Sequence, residues 1–430
     1  MVERGIYMKI RWSKYVNFYN SDNNVILFHS VNRAVNKVLA KDLEQINAYF
    51  QTGITDVNTK NIISELYVDK FIVLKEEREE GEFRKVREDR DASGECLVYF
   101  IPTFSCNFRC PYCIVDSTEH EAECHSTIAS KSDVAAMAEW LRAYVLERGL
   151  RKLTIELFGG EPMIGHEQNL IFLKELSTLR EEGIELTTHM ISNCYLLTEE
   201  KIEDLLHYGL KSIQCTIDGP KEIHDKRRML ANGEGSFDQI IANISMLKEK
   251  EVELIIRINI DQDNASYICE LLDFLEENNF QKSAVLGIAP VDPPITNDAI
   301  SGHTAYTMKY LEPIYKKLKE SKFNFRLWET FCGHGTRDFF VLCPDGKLYN
   351  CPSFAGMDGY EVGDVHAGGF YKERSGMHEI PDKCYACSLV GICAGGCYFT
   401  KTVHQLGEQY CLKLTHSEMA KNYFLARYGS

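Results

Sequence analysis

The chain has 430 residues, with 48 basic and 63 acidic side chains, a formal net charge of −15, and 44% hydrophobic and 26% charged residues; this composition belongs to a folded globular protein and excludes a chain disordered throughout. The length suits two or three domains with a sizeable core, the first twenty residues hold no apolar signal segment, and nowhere do about 18 apolar residues run together, so the expectation is a cytoplasmic protein without a membrane span. The acidic balance opposes a phosphate backbone and argues against nucleic acid as the main partner.

Residues 1–74 read as a small separate unit, with β-like runs at Ile6 to Trp12 and Asn24 to His29 and helical patterns at Lys41 to Phe50 and Asn58 to Tyr67. The stretch Lys75 to Asp91 carries six basic and eight acidic side chains. Residues 75–95 are therefore expected to be a solvated linker or exposed helix at a domain boundary. From Leu97 onward, apolar runs at Leu97 to Thr103, Lys152 to Phe158, Glu185 to Ile191, Lys211 to Ile217, Val252 to Ile260 and Ser283 to Ala289 alternate with amphipathic stretches near 130–148, 165–182, 198–208, 236–250 and 264–280. Six parallel strands with outer helices over residues 96–300 predict an α/β fold, a partial (β/α)6 barrel, with its chemistry at the C-terminal ends of the strands. Residues 301–327 read as a bridging region in which the alternation fades. Residues 328–430 form a cysteine-dense tail expected to fold around metal.

Sixteen cysteines without a signal segment point to metal or redox chemistry rather than a disulfide framework. Cys96, Cys124, Cys194, Cys215 and Cys269 are scattered singly and read as small buried hydrophobes. Cys106, Cys110 and Cys113 lie together directly after the first strand of the alternating region. Three thiolates at such spacing suit an iron-sulfur cubane that keeps one iron open; a zinc site borrowing a distant fourth ligand is the alternative.

With Cys106-x3-Cys110-x2-Cys113 on the loop after the first strand, the chain resembles the radical S-adenosylmethionine (radical SAM) enzymes. The resemblance implies that the open iron is chelated by SAM, whose reductive cleavage gives a 5′-deoxyadenosyl radical, and that an external one-electron reductant such as flavodoxin or ferredoxin feeds the cluster. It also places Tyr112 near the adenine and assigns Gly159, Gly160, Glu161 and Pro162, at the end of the second strand, to the SAM amino group. The glycines there permit close backbone approach, and Glu161 supplies an acceptor. Ser192 and Asn193 match a ribose contact. The stretch from Thr216 to Arg228, TIDGPKEIHDKRR, resembles the segment of peptide-modifying members in which a hydroxyl and an arginine grip the SAM carboxylate, here Thr216 and Arg228. Arg257 on the fifth strand is a further candidate.

The tail cysteines Cys332, Cys351, Cys384, Cys387, Cys393, Cys397 and Cys411 have the spacing of the SPASM extension, and Cys343 is an eighth. Eight thiolates are the number for two fully ligated cubanes, so that three [4Fe-4S] clusters in all are expected; disulfides or two zinc sites are the alternatives. By resemblance, Cys332, Cys351 and Cys397 hold the first auxiliary cluster and Cys384, Cys387, Cys393 and Cys411 the second. Cys343 either completes the first or leaves an iron open.

SPASM members mostly act on ribosomally made peptides, and residues 1–74 resemble the winged-helix-like unit fused to many peptide maturases, which can bind a leader as an added strand. The function implied is a radical SAM peptide maturase acting on a precursor peptide, a thioether crosslink favoured and a carbon-carbon crosslink next. A sulfatase-maturing enzyme that forms formylglycine is the alternative, although that subfamily carries Asp where Pro352 stands. A non-catalytic iron-sulfur scaffold is the third reading. The residues name no catalytic acid or base; Asp218, Asp345 and Tyr398 are polar candidates without an assigned role.

Overall fold

The computed structural model describes residues 9–113, 115, 127–291, 297–327, 332–371, 380–403, 405–406 and 411–429. Cys124, Trp328 and the start of the run at Ile6 lie outside the described residues. The N-terminal elements are β1 (Ile10–Trp12), β2 (Val16–Ser21), β3 (Asn24–His29), β4 (Val35–Leu39), α1 (Ala40–Thr52), α2 (Val57–Val68) and β5 (Ile72–Leu74). Strands β2, β3 and β4 form an antiparallel sheet in that order, and β1 pairs with β5. Ile46 and Tyr49 of α1 and Ile63 and Leu66 of α2 pack on Val25, Leu27 and Val38 of this sheet. Helix α2 starts where the Asp56 carboxylate accepts from the Thr59 N–H at 2.9 Å, and α1 stops at Gly53, whose φ of 71° suits glycine. The sequence patterns did not mark β2 and β4, because asparagine and lysine interrupt their apolar positions.

Residues 75–95 hold a largely exposed helix, one of the two forms their charge suggests, and are also anchored by a few buried groups. Glu79 is 1% exposed, its carboxylate accepting from the Arg11 guanidinium and the Ser13 hydroxyl. Helix α3 (Glu82–Asp91) buries Phe83 near Tyr385, and Asp91 accepts from the Arg337 N–H at 2.9 Å. A composition average hides one buried aromatic and one paired carboxylate, and these two groups fasten the stretch to both ends of the chain.

The central region runs β6 (Glu95–Phe100), α4 (Lys131–Glu147), β7 (Lys152–Leu157), α5 (His166–Ser177), β8 (Glu185–Ser192), α6 (Glu199–His207), β9 (Leu210–Thr216), α7 (Lys221–Arg227), α8 (Phe237–Ser245), β10 (Glu253–Ile260), α9 (Ile268–Glu277) and β11 (Ala284–Pro290). The six strands pair in parallel in chain order. In β10, Leu254, Ile256, Ile258 and Ile260 are buried in one core with Leu271, Leu272 and Leu275 of α9, while the alternate Glu253, Ile255, Arg257 and Asn259 face the concave side. Ser130 and Thr198 cap α4 and α6 by accepting from the N–H groups of Asp133 and Lys201.

The strand succession does not end near residue 300. Helix α10 (Asn297–Glu320) leads to β12 (Asn324–Arg326), which adds in parallel to β11, so the bridging region supplies one more β-α unit. On the opposite edge, β13 (Phe339–Leu342) adds in parallel to β6 and continues antiparallel through β14 (Lys347–Tyr349), β15 (Gly363–Asp364) and β16 (Gly369–Phe370). The sheet stays open, with β12 and β16 at its two ends. The tail closes with the short helices α11 (Asp382–Tyr385), α12 (Val390–Cys393) and α13 (Tyr398–Val403) and the long α14 (Lys413–Tyr428). No helix among the described residues is long and apolar enough to cross a membrane.

Candidate active site

The loop leaving β6 carries Cys106, Cys110 and Cys113, all half-buried. It is zipped to the chain just beyond Arg228. Phe108 bridges Leu230, the Arg109 N–H donates to the Met229 carbonyl at 2.9 Å, and the Ala231 N–H donates to the Asn107 carbonyl at 2.9 Å. Two motifs far apart in sequence therefore share one short antiparallel ladder. Burial pushes the Cys106 thiol up to about 12, with Glu161 and the two neighbouring cysteines adding to the rise. A coordinated metal ion deprotonates such thiols outright.

Among the described residues, no three cysteine sulfurs converge within 4.8 Å of one another. Four sulfurs around a zinc ion would lie about 3.8 Å apart, given Zn–S bonds near 2.3 Å. No three of the described thiols are held that close. The trio that does converge is His29, Glu79 and Glu82. Arg11 and Ser13 already occupy the Glu79 carboxylate there, which makes it a structural lock.

At the end of β7, the reason for two glycines is visible. A Cβ on Gly159 would stand 2.5 Å from the Thr103 carbonyl, and one on Gly160 would stand 2.2 Å from that of Phe104. Their close approach is to the backbone that leads into the cysteine loop. Glu161 follows, 1% exposed; its carboxylate accepts from the Met163 N–H at 3.0 Å, the Ser192 hydroxyl at 2.7 Å and the Asn193 N–H at 2.8 Å. Burial raises its pKa and these three donors oppose the rise. Glu161 thus ties the ends of β7 and β8 together and enters the site with most of its acceptor capacity committed. The Pro162 carbonyl accepts from Asn169 at 2.8 Å. Asn193 donates to Asn107 at 2.8 Å and to the Cys106 sulfur at 3.9 Å, linking this corner to the triad.

Beyond β9, Asp218 is fully buried and accepts from the Tyr112 hydroxyl and the Asn259 N–H. Burial raises its pKa, while Arg228, Tyr112 and Arg227 pull it down. Arg228 donates to the same Tyr112 oxygen at 2.9 Å, and Arg227 forms a two-pronged pair with Asp261 at 2.9 and 2.7 Å. That pair commits the two terminal nitrogens of Arg227 and both carboxylate oxygens of Asp261. In this corner three buried donors are left without an acceptor among the described residues: Arg227 Nε, Arg228 Nε and Asn107 Nδ2. Buried donors of this kind are costly unless a ligand oxygen satisfies them, so the donor set fits an anionic, oxygen-bearing ligand. Thr216 is 8% exposed at the end of β9, in register with Arg257, whose Nε donates to Asn259 at 3.0 Å.

In the tail, burial pushes the Cys351 thiol up to about 12, and Cys332 and Cys397 add to the rise. The Cys393 thiol is likewise pushed to about 12 by burial, then by Cys384, Cys411 and Cys387. Cys351 thus feels Cys332 and Cys397, and Cys393 feels Cys384, Cys387 and Cys411. Cys343 is fully buried in the turn after β13 and shares an apolar cluster with Cys351 and Cys397. Asp345 stands in that exposed turn, accepting from the Lys347 N–H at 3.1 Å. Tyr398 stacks obliquely on His334 at 4.6 Å.

The sequence-derived residues thus fall into two corners around the triad. Glu161, Ser192, Asn193 and Cys106 form one hydrogen-bonded corner, and Tyr112 with Arg228 forms the other. Sequence reasoning gave Asp218 no role and overlooked Asn107. The signal for Asp218 was its place in the TIDGP motif between Thr216 and the arginine pair; Asn107 had only its position inside the triad.

The family model for the radical SAM superfamily matches residues 100–275. A cysteine-type anaerobic sulfatase-maturating enzyme of Clostridium novyi is 23% identical over 68% of this chain and 85% of its own. The radical SAM cyclopropyl synthase TigE of Paramaledivibacter caminithermalis is 22% identical over 90% of this chain and 89% of its own. Among solved structures, anSMEcpe with bound AdoMet superposes with a TM-score of 0.61 at 18% identity, covering 78% of this chain and 97% of that one. SuiB of Streptococcus suis bound to its precursor peptide SuiA gives a TM-score of 0.50 at 14% identity, covering 93% and 98%. These structural likenesses establish the fold.

Proposed function

We propose that this chain, which belongs to the radical SAM superfamily, matures a ribosomally synthesised precursor peptide by forming a crosslink in it, a thioether before a carbon-carbon bond. The observation that carries the peptide reading is an open strand edge beside a groove. Among the described residues β4 pairs only with β3. Beside it lies a groove of about 280 Å³ lined by Leu39 and Ile62 with Lys37, Asp42 and Glu65. An extended leader adding to β4 would gain main-chain hydrogen bonds from the strand and side-chain selection from the groove.

Within the central site, Cys106, Cys110 and Cys113 would hold a [4Fe-4S] cluster, and Arg228 and Thr216 would hold the SAM carboxylate. Tyr112, fixed by Asp218, would flank the adenine. The Gly159 to Pro162 turn would receive the amino group, and Ser192 and Asn193 would border the ribose. When bound, SAM and the reduced cluster supply a 5′-deoxyadenosyl radical that takes a hydrogen atom from the peptide. Cys332, Cys351 and Cys397, with Cys343 as fourth ligand or bystander, would hold one auxiliary cluster, and Cys384, Cys387, Cys393 and Cys411 the other. An external flavodoxin or ferredoxin would supply the electron.

A second reading, sulfatase maturation, is favoured by the Clostridium novyi relative. Coverage weighs against it, because TigE aligns over 90% of this chain and that relative over 68%; Pro352 weighs against it as well. The test is anaerobic incubation with SAM, a reductant and either a precursor peptide or a sulfatase-derived Cys peptide. Loss of two hydrogens with a new inter-residue bond supports the crosslink, whereas an aldehyde product supports formylglycine.

A further inference from the structure

The N-terminal sheet does more than present a groove. Its other edge is bolted to the tail segment between Cys384 and Cys393. Tyr15 donates through its hydroxyl to the Tyr385 carbonyl at 2.9 Å. Asn17 donates to the Ser388 carbonyl at 2.9 Å and accepts from the Ser388 hydroxyl at 2.8 Å. Arg33 donates to the Gly391 carbonyl at 2.8 Å. Each contact falls between Cys384 and Cys393, and each comes from β2, from the turn before it or from the turn after β3. Gly391 lies so close that a Cβ there would stand 2.0 Å from the Ser30 carbonyl. Apolar packing follows the same line, with Cys387 against Tyr19 and Phe28, and Cys384 against Tyr15 and Val31.

We infer that Tyr15, Asn17 and Arg33 are positioning residues for the metal-binding segment Cys384 to Cys393, so that the N-terminal unit is part of the cluster site and a peptide on β4 is sensed there through the shared sheet. This rests on the auxiliary-cluster reading above. Three carbonyls within one short cysteine segment are turned to donors on a foreign element, which fixes the directions in which the intervening thiols leave the backbone. Burial by the sheet also keeps solvent from that side of the segment, and solvent exposure and nearby hydrogen bonds set the potential of an iron-sulfur cluster. The described sheet has three strands, with the proposed groove at β4 and the clamp at β2 and at the turn joining β3 to β4. Ordering β4 therefore acts on the clamp directly through that turn and across the one intervening strand.

The experiment uses the full chain, reconstituted anaerobically, with iron and sulfide counted and each cluster followed by electron paramagnetic resonance during a redox titration. Asn17→Ala with Arg33→Ala should lose about four irons per chain, or keep them with a displaced midpoint for one auxiliary cluster. The SAM-dependent signal of the triad cluster should stay native, and Arg33→Lys with native Asn17 should restore most of the loss. Gly391→Ala, acting from the tail side, should reproduce the defect. In the native protein, adding a synthetic precursor peptide should slow hydrogen exchange across residues 384–393. Native iron content and midpoints in both variants would overturn the clamp, and exchange indifferent to a bound peptide would overturn the sensing. A native protein with only about four irons would remove the auxiliary-cluster reading itself, a result distinct from either.

Discussion

The phenol of Tyr112 and the carboxylate of Asp218 are hydrogen-bonded across the mouth of the sheet, and Arg228 donates to the same phenol oxygen at 2.9 Å. One hydroxyl thus bridges an acid and a base that are both buried. It joins the cysteine loop to the loop after β9 and orients the guanidinium proposed above to hold the SAM carboxylate.

Tyr112→Phe removes that bridge while keeping the ring. The buried Asp218 loses a donor and Arg228 loses an acceptor, a loss of about 1–3 kcal/mol in stability. SAM affinity should fall by about tenfold as Arg228 loses its orientation, equivalent to about 1.4 kcal/mol. An isothermal titration with SAM that matches the native protein would detach Tyr112 from the site.

Replacing Cys106, Cys110 and Cys113 together by Ala should lower the iron content from about twelve to about eight per chain. Formation of 5′-deoxyadenosine should cease. Any turnover retained by the triple variant would sink the assignment of these cysteines.

Leu39→Glu places a charge at the 40% exposed apolar wall of the groove beside Asp42 and Glu65. Precursor affinity measured by fluorescence anisotropy should drop at least about tenfold, with iron content unchanged. Deleting residues 1–74 is a poorer test. It would strip Tyr15, Tyr19 and Phe28 from Tyr385, Leu389 and Phe424 and open the tail's own core.

His29 is fully buried, with Nε2 3.1 Å from the Ser13 hydroxyl and Nδ1 accepting from the Asn32 N–H at 3.2 Å. Burial lowers its pKa from 6.5 to about 4; Glu79 opposes this and Lys70 assists it. The folded imidazole stays neutral where the unfolded one charges, so the unfolded state binds more protons between about pH 6.5 and 4. Stability therefore falls as pH drops through that window, by up to about 3 kcal/mol. Melting at pH 5 should lie below melting at pH 7, and His29→Gln should narrow the difference; an undiminished difference would exclude His29 as its source.

Glu156 stands in β7 in register between Tyr99 of β6 and His189 of β8. Burial raises its pKa from 4.5 to about 8. Here the folded state binds more protons between those values, so its contribution to stability is present at low pH and is lost as pH rises through the window. Glu156→Gln keeps the shape without the titration and should gain on the order of 3 kcal/mol at pH 7. Denaturant melts of equal midpoint for the two proteins would refute it.

Much of the central region was legible because parallel strands buried on one face by helices leave long apolar runs, as in ELIIRINI of β10. Strands β2 and β4 escaped because each buries few residues, and β12 because a three-residue strand has no period to detect. In the charged stretch 75–95, charge counts show an exposed helix but say nothing of the Arg11 to Glu79 pair that anchors it. In the site, Cys106, Cys110 and Cys113 stood out by spacing, and Arg228 by the resemblance of residues 216–228 to a family segment. Asn107 was not, because its importance lies in a partner, Asn193, supplied by another strand end.

The sequence by itself determined the order of strands and helices in the central region and marked the triad and the tail cysteines, since periodicity and ligand spacing are local properties of the chain. Tertiary structure decided the rest. It zipped residues 107–109 to 229–231 and gave Asp218 to Tyr112. It also seated the N-terminal sheet against Cys384 to Cys393. Each of these pairs backbone or buried polar groups whose partners are distant in the chain. Their free energy depends on desolvation and geometry at the meeting point, which no local pattern of residues records.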